Sequence, residues 1–199
     1  RQRAKQKRMG LGSLAEVMRR PRIGLLLAVF FVATFAFSNM EATFALLNEH
    51  RYGLGARETG LLFTFIGVLM SIMQGALVGR FVARFGEKLC VSLGTFSMIF
   101  GLWLLPFAPS MVGYCLVVAL VAFGTGLNGP SLNSLLSRYS AADEQGGVMG
   151  IAQSLGSLAR ILGPIWGGFT FGTLGYAYPF VTGAAFMSIA FFLSLANFR

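Results

Sequence analysis

The sequence contains little charge and very few acids. Only 12% of its 199 residues are charged, and aspartate occurs once, at Asp143, whereas an average soluble domain is about 25% charged. Hydrophobic residues make up 55% of the chain, with 20 Phe and 26 Gly. A soluble core of this length cannot hide so much apolar surface. The composition therefore excludes a disordered chain, argues against a soluble enzyme or nucleic-acid module, and predicts a membrane protein.

Metal-binding and catalytic residue types are also scarce. The chain has one histidine, His50, and two cysteines, Cys90 and Cys115, which lie in separate apolar runs. This set cannot assemble a metal site, so we expect no metal and no cofactor. A six-span membrane enzyme would need a serine with a base, an aspartate pair or a metal motif. Because the only Asp and the only His lie outside the apolar runs, we predict that the chain is not an enzyme.

One motif resembles a cofactor site by its letters alone. The segment Gly124–Gly129 reads GTGLNG and matches the dinucleotide fingerprint GxGxxG. That fingerprint works only when it follows a strand and opens a helix. Here it lies in the middle of an apolar run and is followed by Pro130, so we do not expect it to bind a dinucleotide.

The positive charge is concentrated at the start of the chain. The net charge is +9, and residues 1–22 hold eight Lys and Arg against a single acid, Glu16. A basic segment beside a membrane span is typical of a cytoplasmic loop that meets anionic lipid, so we do not expect nucleic-acid binding. Ser13 and Glu16 have capping-box spacing, which predicts a short interfacial helix over residues 11–20. We therefore divide the chain into a basic loop, 1–22, and a transmembrane half-domain, 23–199.

Six apolar stretches are each long enough to cross a bilayer, which takes about 20 residues of helix. They predict an all-α membrane protein with six transmembrane helices. The predicted spans are Ile23–Leu47, Thr59–Val78, Leu89–Phe107, Met111–Leu136, Gly146–Phe171 and Tyr176–Phe198.

The distribution of basic residues predicts an orientation. If residues 1–22 are cytoplasmic, the segments on that side hold thirteen Lys and Arg, and those on the other side hold two. This bias predicts that both ends of the segment are cytoplasmic. The chain opens on a charged stretch without an initiating Met, so we expect it to be part of a longer protein.

Two charges lie inside predicted spans, where charge is costly and marks a transport pathway or a buried partner. Arg160 lies near the middle of the fifth span, and Glu41 lies in the outer part of the first. A carboxylate in such a place can exchange a proton, so Glu41 is a candidate for proton coupling or cation binding. The alternatives are an Arg160 with a purely structural role and a Glu41 paired with Arg51 or Arg57 at the interface.

Uncharged polar residues within the spans either join helices or line a cavity. Together with Phe35, Phe37, Phe44 and Phe65 they would suit an amphipathic pocket with aromatic walls. These polar residues are Asn39, Gln74, Asn128, Asn133 and Gln153. Our candidates for the coupling or substrate pathway are Glu41, Arg160, Asn39, Gln74, Asn128 and Gln153.

Two motifs resemble those of the major facilitator superfamily. The joint after the second span resembles its glycine-and-arginine loop, in the form found between helices 8 and 9, and the match is carried by Gly75, Arg80, Arg84, Gly86 and Lys88. The fifth span resembles the GxxxGPxxGG motif of proton-driven drug antiporters on the symmetry-related helix 11. That match is carried by Gly163, Pro164, Gly167 and Gly168, with Ala159 in place of the first Gly.

The resemblance implies helices 7–12 of a bacterial inner-membrane transporter of the tetracycline and multidrug efflux type. It implies alternating access, proton-coupled export of amphipathic drugs or metabolites, and an N-terminal six-helix half as partner. Glu41 and Arg160 would serve coupling or substrate contact. Arg80 and Arg84 would hold the cytoplasmic gate, and the glycines around Pro164 would shape a moving helix. Proton-coupled uptake by the same fold, or a non-transporting membrane protein, remain the alternatives.

Overall fold

A computed structural model describes residues 20–197, and these residues form an all-helical bundle. The helices are α1 (Pro21–Tyr52), α2 (Ala56–Ile72), α3 (Val78–Leu104), α4 (Met111–Tyr139), α5 (Gln145–Leu174) and α6 (Tyr178–Asn197). A π-helical segment, Met73–Leu77, joins α2 to α3, and a short 3-10 turn, Leu105–Phe107, follows α3. The interfacial helix predicted over residues 11–20 lies, apart from Arg20, outside the described residues.

Five helical segments in the described part of the chain are long and apolar enough to span a membrane. One of them, Ala56–Phe107, runs for 52 residues, which as a straight helix would measure about 78 Å. Its two ends instead lie close together. The Tyr52 hydroxyl, just before α2, donates to the carbonyls of Leu105 and Ala108 at 3.2 Å. The segment therefore folds back on itself and contains the second and third predicted spans.

The reversal takes place at Gly86. Its backbone has φ 77° and ψ 158°, whereas the residues on both sides of it are helical. Only glycine adopts this conformation without strain. The nine-residue joint predicted over Arg80–Lys88 is thus helical except at one residue, because a single glycine suffices to turn the chain.

The helices pack through small residues. Helix α1 packs mainly against α5, α3 packs mainly against α4, and α6 contacts both α1 and α3. A Cβ placed on Gly94 would stand 2.9 Å from the carbonyl oxygen of Gly124, and one placed on Gly126 would stand 2.8 Å from Met73 Cβ. Gly124 and Gly126 of the GTGLNG segment are therefore needed for helix contacts, as small residues often are in membrane proteins, whereas a Cβ on Gly129 would meet nothing within 4 Å.

Two ends of the bundle can be told apart by their contacts. At one end, which we call the basic end, Arg20 meets Glu144 and Arg138 meets Glu87. At the opposite end, the Tyr114 hydroxyl donates to Asn48 Oδ1, and Asn48 Nδ2 contacts Thr59 Oγ1 at 3.1 Å. Helices α1 and α4 therefore run in opposite directions, with their middles facing each other.

Candidate functional site

A pocket of about 320 Å³ lies where the middles of α1, α4 and α5 meet. Phe30, Phe37, Met98 and Leu132 supply apolar walls. The polar side chains that line it are Thr34, Ser38, Glu41, Thr125, Asn128, Asn133, Gln153 and Arg160. Four of the six residues that the sequence nominated for a pathway, Glu41, Arg160, Asn128 and Gln153, thus share one pocket.

The two span charges lie at the open side of this pocket. Glu41 and Arg160 are both exposed, and among the described residues neither forms a salt bridge, so Glu41 is not paired with Arg51 or Arg57. Arg160 Nη1 lies 3.7 Å from the position of a Cβ on Gly156, one turn earlier on α5. Pro164 has no N–H, so the carbonyl of Arg160 lacks its usual helical donor. Both charges are available to a ligand or a facing surface.

Asn39 is placed differently from the other nominated residues. It is fully buried between α1, α5 and α6, outside the pocket lining, and its Nδ2 donates to the carbonyl of Pro179 at 2.6 Å. Cβ atoms on Gly163 and Gly167 would stand 2.9 Å from Asn39 N and 2.5 Å from its Oδ1. The glycines of the fifth-span motif therefore bring α5 against Asn39.

Asn128 is fixed at the back of the pocket, whereas Gln74 lies elsewhere. Asn128 is 1% exposed and its Nδ2 donates to Thr95 Oγ1 on α3 at 2.8 Å. Gln74 is exposed in the π-helical segment and is absent from the pocket lining. Gly75 lies in the same segment, with nothing within 4 Å of a Cβ placed on it.

The loop motif lies at the basic end, around the reversal at Gly86. Arg80, Arg84 and Lys88 are exposed there, and the Arg84 guanidinium lies 5.5 Å from the ring centre of Phe85. Glu87, which the sequence did not nominate, accepts from Arg138 Nη1 at 2.6 Å and from Ser134 at 3.3 Å. The hydrogen bond from Arg138 lowers the pKa of Glu87. This pair ties the Gly86 turn inside α3 to the end of α4.

A second ion pair joins the start of α1 to the segment before α5. Arg20 donates to both carboxylate oxygens of Glu144, at 2.6 and 2.9 Å. These hydrogen bonds lower the pKa of Glu144. Together the two pairs connect three helix ends on one side of the bundle.

One pocket residue and two ion-pair acids were beyond sequence reasoning. Thr125 gave no signal, because a threonine within a helix usually bonds its own backbone. Glu87 and Glu144 have partners 51 and 124 residues away, and neither separation can be read from local spacing. Asn133 was recognised as a polar span residue but was not nominated for the pathway.

Comparisons with known proteins agree on one family. A model described as Major Facilitator Superfamily matches residues 4–199. Human "Major facilitator superfamily domain-containing protein 10" is 30% identical over 86% of this chain and 37% of its own length. "Multidrug resistance protein 1" of Bacillus subtilis is 29% identical over 84% of this chain and 43% of its own. "Tetracycline resistance protein, class C" of Escherichia coli is 30% identical over 72% and 36%.

Solved structures agree with the sequence matches. The crystal structure of the human organic anion transporter MFSD10 (TETRAN) has a TM-score of 0.80 and 28% identity, over 86% of this chain and 40% of that one. The POT family transporter PepTSo has a TM-score of 0.70 at 16% identity, over 88% and 37%, which supports the fold alone. The chain spans about two fifths of the length of the relatives it matches.

Proposed function

Because the chain belongs to the Major Facilitator Superfamily, we propose that it is the C-terminal half of a proton-coupled transporter that exports amphipathic compounds by alternating access. The observation that carries the proposal is the pocket between α1, α4 and α5, in which an acid and a base lie beside aromatic walls.

The shape of the pocket suits a small amphipathic molecule. Its volume of about 320 Å³ is at the lower end of the range of about 300 to 1,000 Å³ that ligand pockets occupy. Glu41 and Arg160 lie on its open side, where a second six-helix half would close a central cavity. We therefore propose that an N-terminal half is the partner that completes the site.

The two charges suit different tasks in a coupled cycle. We propose that Glu41 takes up and releases the driving proton, since a carboxylate facing a cavity can change its charge as access alternates. We propose that Arg160 contacts an anionic or hydrogen-bond-accepting group of the substrate. The resistance proteins among the relatives support export as the direction.

The orientation is part of the same proposal. The basic end, with its two ion pairs and the loop motif, would face the cytoplasm, because Lys and Arg concentrate on that side of membrane proteins. Both ends of this segment would then be cytoplasmic, in a multi-pass protein of the bacterial inner membrane. Arg80 and Arg84 would act at the cytoplasmic gate.

The test is drug accumulation in living cells. The complete gene is expressed in a bacterial strain that lacks its own multidrug pumps, and the steady-state accumulation of ethidium and tetracycline is measured. We expect lower accumulation than in vector controls, and recovery when a protonophore is added. Glu41→Gln and Arg160→Gln should each reduce the difference at least about tenfold, which corresponds to losing one charged interaction. Glu49→Gln and Arg57→Gln, exposed residues outside the pocket, are the matched controls.

Three results would contradict the proposal in different ways. Higher accumulation would indicate uptake instead of export. Export that persists with the protonophore would exclude proton coupling. Equal export by the wild type and by both pocket variants would show that the pocket does not lie on the transport pathway.

A further inference from the structure

Three oxygen atoms on one helix have no hydrogen-bond partner among the described residues. They are Thr125 Oγ1, Asn128 Oδ1 and Asn133 Oδ1, all on α4, and each atom is buried. All three residues line the pocket between α1, α4 and α5. The other such atom in the described chain, Asn39 Oδ1, lies in the helix contact outside the pocket.

A chain of hydrogen bonds determines which atom of the Asn128 amide is free. The Thr95 hydroxyl donates to the carbonyl of Val91 at 2.8 Å, so its single proton is already used. Thr95 Oγ1 can therefore only accept, and the group that it accepts from must be Asn128 Nδ2, at 2.8 Å. The side-chain oxygen of Asn128, Oδ1, is therefore left without a partner, and it is a hydrogen-bond acceptor on the wall of the pocket.

The position of that acceptor is rigid. Asn128 Cβ lies 3.0 Å from the position of a Cβ on Gly94, so the α3–α4 contact leaves its side chain little freedom. A buried acceptor without a partner is unfavourable, because it has lost its hydrogen bonds to water and has gained none in the protein. Two of the three atoms are amide oxygens, which only accept, and the Thr125 hydroxyl can accept as well as donate. This wall of the pocket therefore favours an occupant that brings N–H or O–H groups to it.

We propose that the α4 wall of the pocket, formed by Thr125, Asn128 and Asn133, selects substrates that carry hydrogen-bond donors, with a primary ammonium on an aromatic body as the best fit. The inference rests on the proposed transport function and names its substrate class. Phe30 and Phe37 would pack against the aromatic body, and the α4 oxygens would accept hydrogen bonds from the N–H groups. An analogue with the same ring and charge but no donor would leave those oxygens unpaired and bind less well.

The test compares two probes of equal charge, of which one has three N–H donors at its cationic nitrogen and the other has three methyl groups there. Dansylcadaverine carries a primary ammonium, and its N,N,N-trimethyl derivative carries the same charge without N–H groups at that nitrogen. The charge is equal in the two probes, but Glu41 can accept a hydrogen bond from the primary ammonium alone, so the α4 variants described below are needed to assign a preference to the α4 wall. The dissociation constants are measured by fluorescence anisotropy on the purified protein, expressed from its complete gene. We expect the primary ammonium to bind at least about tenfold more tightly, as expected for hydrogen bonds to a charged group.

Substitutions on α4 should remove this preference selectively. Thr125→Val, Asn133→Leu and Asn128→Leu should each weaken binding of dansylcadaverine severalfold and leave the trimethyl derivative unchanged. Asn128→Leu also removes the hydrogen bond to Thr95. If that variant misfolds, the dissociation constants of Thr125→Val and Asn133→Leu test the inference. Thr170→Val is the matched control, since its hydroxyl is buried, bonds its own helix and lies outside the pocket.

The possible failures are separable from those of the transport proposal. Equal affinities for the two probes, a preference that survives in all three variants, or no binding of either probe would each overturn the inference. The first of these results would mean that water, and not substrate, satisfies the α4 oxygens. Drug export in cells without this preference would leave the transporter proposal intact, whereas the preference without export would overturn the transporter proposal alone.

Discussion

Two adjacent glycines in α5 have opposite surroundings. A Cβ on Gly167 would stand 2.5 Å from Asn39 Oδ1 and 2.9 Å from Thr43 Cγ2, whereas a Cβ on Gly168 would meet nothing within 4 Å. The motif that contains both is therefore not uniform. One glycine is required by the contact between α1 and α5, and the other faces open space, where a partner surface could approach.

This difference can be tested by adding a single methyl group at each position. We expect Gly167→Ala to lower the free energy of unfolding by about 1–3 kcal/mol, the usual cost of overpacking a tight contact. Gly168→Ala, its matched control, should leave stability unchanged or slightly raised, because alanine favours the helix. Thermal unfolding of the purified protein in detergent measures both. Equal melting temperatures for the two variants would contradict the tight contact at Gly167.

The composition of the pocket was partly predictable from the sequence. Charge in an apolar span is rare enough to stand out, so Glu41 and Arg160 were found, and the structure places them together with Asn128 and Gln153. Asn39 and Gln74 carry the same local signal but lie elsewhere, since periodicity does not say which face meets which neighbour. The roles of all six remain predictions.

The presence of each helix was predictable from the length of its apolar run. The positions at which the helices end depended instead on single residues. All six predicted spans correspond to helical segments in the described chain. Helix α1 extends to Tyr52, beyond the predicted Leu47, until Gly53 adopts a left-handed conformation with φ 61°. The predicted loop between the second and third spans is reduced to Gly86. Charged residues such as Arg80 and Arg84 suggested a loop, but arginine is also a good helix former.

The reversal at Gly86 makes a prediction about the helical hairpin formed by residues 56–85 and 87–104. Its φ of 77° and ψ of 158° lie in a region that is open essentially to glycine alone, so Gly86→Ala should cost about 1–3 kcal/mol of stability. Gly79→Ala, in the helical part of the same segment with nothing within 4 Å of its Cβ, is the control. The melting temperature should fall only for Gly86→Ala, and an unchanged value would show that the turn tolerates a side chain.

The family and the class of activity were accessible from the sequence. The low charge, the six spans and the two motifs indicated a superfamily transporter, and the match over residues 4–199 confirms that resemblance. The prediction that the chain is not an enzyme is confirmed by its transporter relatives. The multidrug and tetracycline resistance relatives agree with the subgroup named. Substrate, direction and coupling were not accessible, because they depend on a ligand and on long-range contacts, neither of which local residue spacing describes.

The orientation of the whole bundle can be measured by cysteine labelling. In a background with Cys90→Ala and Cys115→Ala, a single cysteine is placed at Ala142, near the basic end, or at Arg57, at the opposite end. A membrane-impermeant maleimide applied to intact cells should label only Arg57→Cys if the basic end faces the cytoplasm, as we propose. A permeant maleimide, which should label both, controls for accessibility. Labelling of Ala142→Cys alone would show that the bundle has the opposite orientation to the one proposed.

The one-residue turn at Gly86 also has a consequence for how the chain is made. The two helical arms on either side of Gly86, residues 56–85 and 87–104, have no connecting segment between them that would let the first arm cross the membrane alone. We therefore expect the two arms to leave the translocon together as a hairpin. The exposed charges of Arg80, Arg84 and Lys88 would hold its tip among the lipid headgroups. The two arms of the hairpin would then insert into the membrane in a single step, with Gly86 at the tip of the hairpin.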